Sequence, residues 1–120
     1  IANMRSDGLI VASATGSTGY ALSVGGPLVD PSYQGLIVAP IAPHTLQSRA
    51  LLTGSSDVVE IDLDRSPASR AATLFIDGER ITFDSPIRKI VVATGEEPTL
   101  LLRYQAKSFY DYAAETFFKQ

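Results

Sequence analysis

The run Asp7-Gly8-Leu9-Ile10-Val11-Ala12-Ser13-Ala14-Thr15-Gly16-Ser17-Thr18-Gly19-Tyr20 reads as a short buried strand that feeds a loop rich in glycine, serine and threonine. Leu9 to Ala12 are apolar with β-branched residues at the centre, the signature of a covered strand. Gly16 and Gly19 allow backbone angles and close approaches that a side chain would block. Thr15, Ser17 and Thr18 carry hydroxyls that both donate and accept, which suits ribose hydroxyls and base edges. The loop leads toward a helix start, where unpaired N–H groups favour anions. Tyr20 adds a flat apolar face with a polar tip, and Asp7 can accept from an amide or a sugar hydroxyl. The same residues also serve as a plain turn with an N-cap. No Walker pattern is present and the loop has no lysine to reach a terminal phosphate. Spacing alone leaves the ligand cradle and the plain turn both open.

Downstream, Tyr20-Ala21-Leu22-Ser23-Val24 is long enough for a turn or two of helix, which Gly25-Gly26-Pro27 stops. Leu36-Ile37-Val38-Ala39 predicts a second apolar strand, closed by Pro40 and Pro43. From there the pattern is β. Strands are expected over Val58–Leu63, Ala72–Ile76, Arg80–Phe83, Ile90–Ala93 and Leu100–Tyr104, at spacings of about ten residues. Asp77-Gly78 is the strongest hairpin signal, and Gly54–Asp57 and Gly95–Pro98 read as further turns. Phe109, Tyr112, Ala113, Thr116 and Phe117 then recur at the spacing of one helical face, with Ser108 as N-cap. The expected fold is mainly β: a β-sandwich of short antiparallel strands, a short helix after the Gly/Ser/Thr loop, and a C-terminal helix. An aromatic stripe of that size needs a partner surface, in this domain or in another.

At 120 residues the chain is one domain, 1–120, and 45% hydrophobic content is ordinary for a folded one. Net charge is −3 with the ten basic residues scattered, which argues against nucleic-acid binding. A small anionic ligand needs no net positive charge, because backbone N–H groups can hold it. No apolar run reaches the ~20 residues of a membrane span, and no secretory signal pattern is present. The chain has no cysteine, so it forms neither disulfides nor thiolate metal sites, in keeping with a cytoplasmic protein. Its single histidine, His44, rules out a multi-histidine zinc site within the chain, and no metal-binding residues are identified. Ile1-Ala2-Asn3-Met4 is no ordinary start, and a piece of a longer protein is expected.

The run Asp7–Tyr20 resembles the hallmark of the NAD kinase family, D-G-x-x-x-[ST]-T-P-T-G-S-T-A-Y. Ala21–Pro27 resembles its S-x-G-G-P continuation. Pro40-Ile41-Ala42-Pro43-His44-Thr45-Leu46 with Arg49 resembles its P-I-x-P-H-x-L…R segment, and Ile76-Asp77-Gly78-Glu79 its V-D-G-Q hairpin. The likeness runs in the family's order over nearly the whole chain. Two positions depart from it. Ala14 stands where the family usually has proline, which loosens the loop's entry. Gly19 stands where it usually has alanine, which widens the pocket beside the ligand.

The resemblance implies the family's C-terminal, NAD-binding β-sandwich, with the α/β domain and its Gly-Gly-Asp-Gly loop outside this chain. The family moves a phosphoryl group from ATP (polyphosphate in some members) to the 2′-hydroxyl of the NAD adenosine ribose. Magnesium accompanies the donor, and the general base is the aspartate of Gly-Gly-Asp-Gly. That tetrapeptide does not occur here, so no catalytic residue is expected in this chain and the domain alone should bind NAD without phosphorylating it. The resemblance implies that Asp7, Ser13, Thr15, Gly16, Thr18, Gly19, Tyr20 and Ser23 are the NAD-binding positions. Thr18 is expected against the adenine, Tyr20 near the adenosine ribose or diphosphate, and Asp7, Ser13 and Thr15 at the nicotinamide-ribose end. Family members are dimers or tetramers with shared sites, and Ser23, Ala42 and His44 match positions near a neighbour's nicotinamide.

Blander roles stand beside these. His44 reads as a structural hydrogen-bonder before a catalyst, Asp77 as the first residue of a tight hairpin before an acid, and Arg49 as an ion-pair partner before a phosphate ligand. Glu60, Asp62 and Asp64 read as a solvated face. The competing functional class is a non-catalytic nucleotide-binding or oligomerisation module on the same sandwich. A lipid kinase of the same superfamily would share the sandwich without the T-G-S-T-x-Y loop.

Overall fold

The computed structural model describes residues 3–45, 48–63, 72–100 and 108–118. The chain divides into two compact units: residues 1–57 with 94–120, and residues 58–93.

The first unit is built on β1 (Gly8–Ala12) and β2 (Ile37–Ile41), antiparallel from Gly8 opposite Ile41 to Ala12 opposite Ile37. A two-residue strand, β3 (Leu51–Leu52), pairs with Ile37 and Val38 on the far side of β2. The central strand is the buried one: Ile37 to Ala39 are at most 9% exposed and Ile37 is fully covered. Ile37 packs with Ala14 and Val29, and Tyr33 closes over them. Thr53 continues the β2–β3 pairing through bonds of 2.9 Å from its N–H to the Leu36 carbonyl and from the Leu36 N–H to its Oγ1. The Tyr33 hydroxyl donates to the Thr53 carbonyl.

Proline was expected to close the second strand at Ala39. Instead β2 runs through Pro40 to Ile41. Its β3 partner reaches only Ile37 and Val38, so at Pro40 that side is an open edge, where a missing N–H is tolerated. β3 carries too short an apolar signal to stand out in the sequence.

After β1 the chain enters a 3₁₀ turn, Thr15–Thr18, and then α1 (Tyr20–Ser23). α1 ends as the Gly-Gly pair predicts. Gly25 is left-handed (φ 93°), its N–H bonds the Leu22 carbonyl at 3.0 Å, and the Gly26 N–H bonds the Ala21 carbonyl at 2.8 Å. This is the Schellman arrangement, which satisfies carbonyls the helix end would otherwise leave unpaired.

The C-terminal helix α2 (Phe109–Phe117) has the expected cap. The Ser108 side chain accepts from the Asp111 N–H, and Asp111 accepts from the Ser108 N–H, a reciprocal capping box. Asp30 caps the turn before Tyr33, accepting from the Ser32 N–H at 2.8 Å. Its carboxyl is held below the ordinary 3.8 chiefly by hydrogen bonds from the Ser32 side chain and backbone N–H, with a smaller contribution from Tyr110. A depressed pKa means stability that is present above pH 3.8 and lost as pH falls through the folded value. An NMR titration of the Asp30 carboxyl should therefore show a midpoint below 3.8, and Asp30→Asn should remove that part of the acid dependence of unfolding.

The second unit holds two antiparallel pairs: β4 (Val59–Asp62) with β7 (Lys89–Val92), and β5 (Leu74–Ile76) with β6 (Glu79–Ile81). Asp77 (φ 49°) and Gly78 (φ 79°) both lie in the left-handed region, as a two-residue type I′ hairpin turn requires. Asp77 is thus a turn residue. Glu60 and Asp62 are exposed on β4, with Glu60 paired to Lys89 at 3.1 Å. Asp64 and the expected strand residues 101–104 lie outside the described residues. The mainly β expectation thus holds as small antiparallel sheets with a C-terminal helix.

Candidate functional site

Sequence position suggested one loop with free N–H groups and outward hydroxyls. The structure makes it a wound turn instead. The N–H groups of Gly16, Ser17 and Gly19 bond the carbonyls of Ser13, Ala14 and Gly16 at 3.0 to 3.1 Å. Those three donors are spent within the turn, so it is not an open backbone cradle for an anion. What it offers a ligand is side chains: Ser13, Thr15, Thr18, Tyr20 and Ser23 are exposed, as are Gly16 and Gly19.

Winding the turn also sorts its hydroxyls. Ser17 is 1% exposed, and its Oγ is buried without a hydrogen-bond partner among the described residues. Leaving such an atom unpaired costs roughly 1–3 kcal/mol. Thr15, two residues before it, and Thr18, directly after it, stay on the surface. Ala14, where the family usually has proline, is 6% exposed and belongs to the core rather than to the loop's rim. A Cβ on Gly19 would meet only the Gly16 carbonyl oxygen at 3.4 Å, so the family's usual alanine fits here with little adjustment.

Thr15, Thr18, Ala14 and Ser17 form one wall of a cleft of about 220 Å³. Val29, Pro31 and the stripe Phe109, Tyr112, Ala113, Thr116 and Phe117 of α2 line it too. The stripe thus shares a cleft with the turn, but only Ala113 is buried there, and Tyr112 and Phe117 remain nearly half exposed. Sites that enclose a whole small-molecule ligand run to roughly 300–1,000 Å³, so this cleft seats about one ring system of a larger molecule. Gly19 is not among its lining residues. Val29, Pro31 and the α2 stripe are site neighbours that the motif did not reveal. Only the helical period of α2 hinted at a facing surface.

Asp7 lies elsewhere. It precedes β1 while Ser13 follows it, and six residues at about 3.3 Å each put the two roughly 20 Å apart. One ribose cannot touch both Asp7 and Ser13 or Thr15 of a single chain. Asp7 instead meets His44, with Nε2 3.4 Å from Oδ1 and both side chains more than half exposed. Ala42, between them in the β2 extension, has a left-handed φ of 45°. The two groups of predicted residues are therefore Asp7, Ala42 and His44 at one end of β1, and Ser13 to Ser23 at the other. Leu46 lies outside the described residues. Among the described residues, no group of three or more His, Asp or Glu side chains comes together to hold a metal.

Small antiparallel sheets, with a glycine-rich turn carried from the end of β1, which is half-buried and not the fully covered strand its apolar run predicts, define a β-class domain with an exposed hydroxyl-bearing turn. A family model described as the ATP-NAD kinase C-terminal domain matches residues 1–104. The NAD kinase of Caldicellulosiruptor bescii is 36% identical over 111 residues, 92% of this chain and 41% of that protein. The NAD kinase of Thermococcus kodakarensis is 38% identical over 109 residues, 91% of this chain and 38% of that protein. Among solved structures, an NAD kinase from Archaeoglobus fulgidus in complex with ATP superposes with a TM-score of 0.66 at 32% identity, over 80% of this chain and 35% of that one. Yeast NADH kinase complexed with NADH superposes with a TM-score of 0.69 at 30% identity, over 79% and 27%. The chain belongs to the NAD kinase family and corresponds to its C-terminal domain. It spans about two fifths of the length of the curated relatives it matches.

Proposed function

We propose that this chain is the NAD-binding, β-sandwich domain of an NAD kinase, whose full-length protein transfers a phosphoryl group from ATP or polyphosphate to the 2′-hydroxyl of the NAD adenosine ribose. The observation that carries this reading is the exposed Thr15–Tyr20 turn at the end of β1, in a chain matched over residues 1–104 by the family's C-terminal domain. Nucleotides in the two superposed structures, ATP in one and NADH in the other, support it.

In this reading Thr15 and Thr18 offer hydroxyls to the dinucleotide, Ser13, Gly16 and Gly19 shape the turn around it, and Tyr20 presents a flat face. Asp7, Ala42 and His44 sit too far along β1 to serve the same end of that ligand. With Ser23 they belong to a site completed between copies of the chain, in a dimer or tetramer. Binding of this kind positions the ribose, and proximity is most of what a phosphoryl transfer asks of a protein. The base that takes the 2′-hydroxyl proton belongs to a Gly-Gly-Asp-Gly loop in an N-terminal domain, so the domain on its own binds without turning over. A magnesium ion would travel with the donor's phosphates. No described helix is long and apolar enough to cross a membrane, and the cysteine-free chain suits a cytoplasmic protein.

The full-length polypeptide should make NADP from NAD and ATP or polyphosphate. Binding of NAD with no NADP from any donor would instead favour the non-catalytic module. Thr18→Val keeps the shape and removes the hydroxyl, and should weaken NAD binding by roughly 1–3 kcal/mol in calorimetry. An unchanged affinity would take Thr18 out of the site.

A further inference from the structure

We propose that His44 is a positioning residue for Asp7, an inference that rests on the reading of Asp7 as a nucleotide contact. The backbone brings the two together. Beyond the end of β2 the His44 N–H bonds the Arg5 carbonyl at 2.9 Å, in the same register as Gly8 opposite Ile41. Between these points the register slips, for the Asp7 N–H bonds the Ile41 carbonyl at 2.9 Å, and the irregularity is absorbed at Ala42. A left-handed alanine is strained, because its Cβ crowds the following carbonyl. The chain holds this strained residue where pairing resumes to carry Pro43 and His44 back toward Arg5. His44 then lies diagonally across the ladder from Asp7, a separation that long side chains bridge, and its Nε2 comes to 3.4 Å from Oδ1.

The chemistry follows from the two groups. An imidazole with its proton on Nε2 donates to Oδ1 and leaves Oδ2 free to accept from a ligand amide or hydroxyl. An exposed carboxylate otherwise samples several rotamers, and ordering it falls on the binding step. His44 does that ordering beforehand without touching the nucleotide itself. Exposure of both side chains limits the effect, which should be about two- to fivefold in NAD affinity.

His44 is the chain's single histidine, so in this domain its imidazole gives one set of NMR signals. In the free protein, Asp7→Asn should move the Nε2 signal. An unmoved signal overturns the pairing whatever NAD does. In the full-length polypeptide, His44→Ala should raise KM for NAD two- to fivefold with kcat little changed, and His44→Gln, which keeps an N–H donor, should restore it. In an Asp7→Asn background His44→Ala should add nothing. Additive losses would mean that His44 acts on the ligand directly, and would overturn the positioning role. A shifted imidazole signal with NAD affinity unaffected by Asp7→Asn would instead remove Asp7 from the site, and the positioning role with it.

Discussion

Ile37→Ala should lower the free energy of unfolding by about 2–5 kcal/mol, the range for truncating a large aliphatic side chain in a core. Ile37 has no exposed surface and sits on the central strand, opposite Ala12 on one side and Leu52 on the other. It also packs on Ala14, the residue that leads into the 3₁₀ turn. The cavity would open beneath the turn, where neighbours from β1, β2 and the Val29 segment are held by different parts of the chain and cannot all collapse inward. Urea unfolding should show a lower midpoint at unchanged slope. A midpoint within error of the parent would mean that the core of the first unit lies elsewhere. Because Ala14 abuts the turn, NAD binding should weaken in the same variant even under conditions where it stays folded.

The second large effect is expected at Gly26. A Cβ there would stand 2.6 Å from the Ala21 carbonyl oxygen and 3.1 Å from its carbon, both backbone atoms with no rotamer to escape into. The Ala21 oxygen is also the acceptor of the Gly26 N–H, so relief of the clash breaks the bond that closes α1. Overpacking of about 1–3 kcal/mol plus a lost hydrogen bond of about 1 kcal/mol gives a cost near 2–4 kcal/mol for Gly26→Ala. Gly25→Ala is the informative comparison. Nothing lies within 4 Å of its would-be Cβ, so only the left-handed backbone opposes it, at about 1 kcal/mol. Thermal unfolding that ranks the two equally would show that strain at this helix end comes from φ and not from the contact with Ala21.

Much of the fold was legible because local chemistry decides it. The β-branched run before Ser13, the Asp-Gly hairpin, the Gly-Gly stop and the Ser108 cap each act through neighbours within a few residues, and each element forms where its residues ask for it. Pro40 misled because a missing N–H matters only if a neighbouring strand needs it, and the short reach of β3 removes that need. For the candidate site the sequence offers a list of residues and not an arrangement. Ser17 reads like Thr15 and Thr18 in sequence, yet the 3₁₀ winding turns it under the surface and leaves the other two out. Asp7 and His44 are 37 positions apart, so no spacing could announce their contact.

The sequence by itself determined the β character, the turns, the capped helix and the family, because these depend on residue type at short range and on motif order. Only the tertiary structure decided that the turn consumes its own N–H donors and that the α2 stripe lines the same cleft as Thr15 and Thr18. It also decided that β1 separates Asp7 from Ser13. The physical reason is one: burial and hydrogen-bond pairing are settled by whichever distant segments pack together, and an extended strand fixes how far its two ends must stand apart.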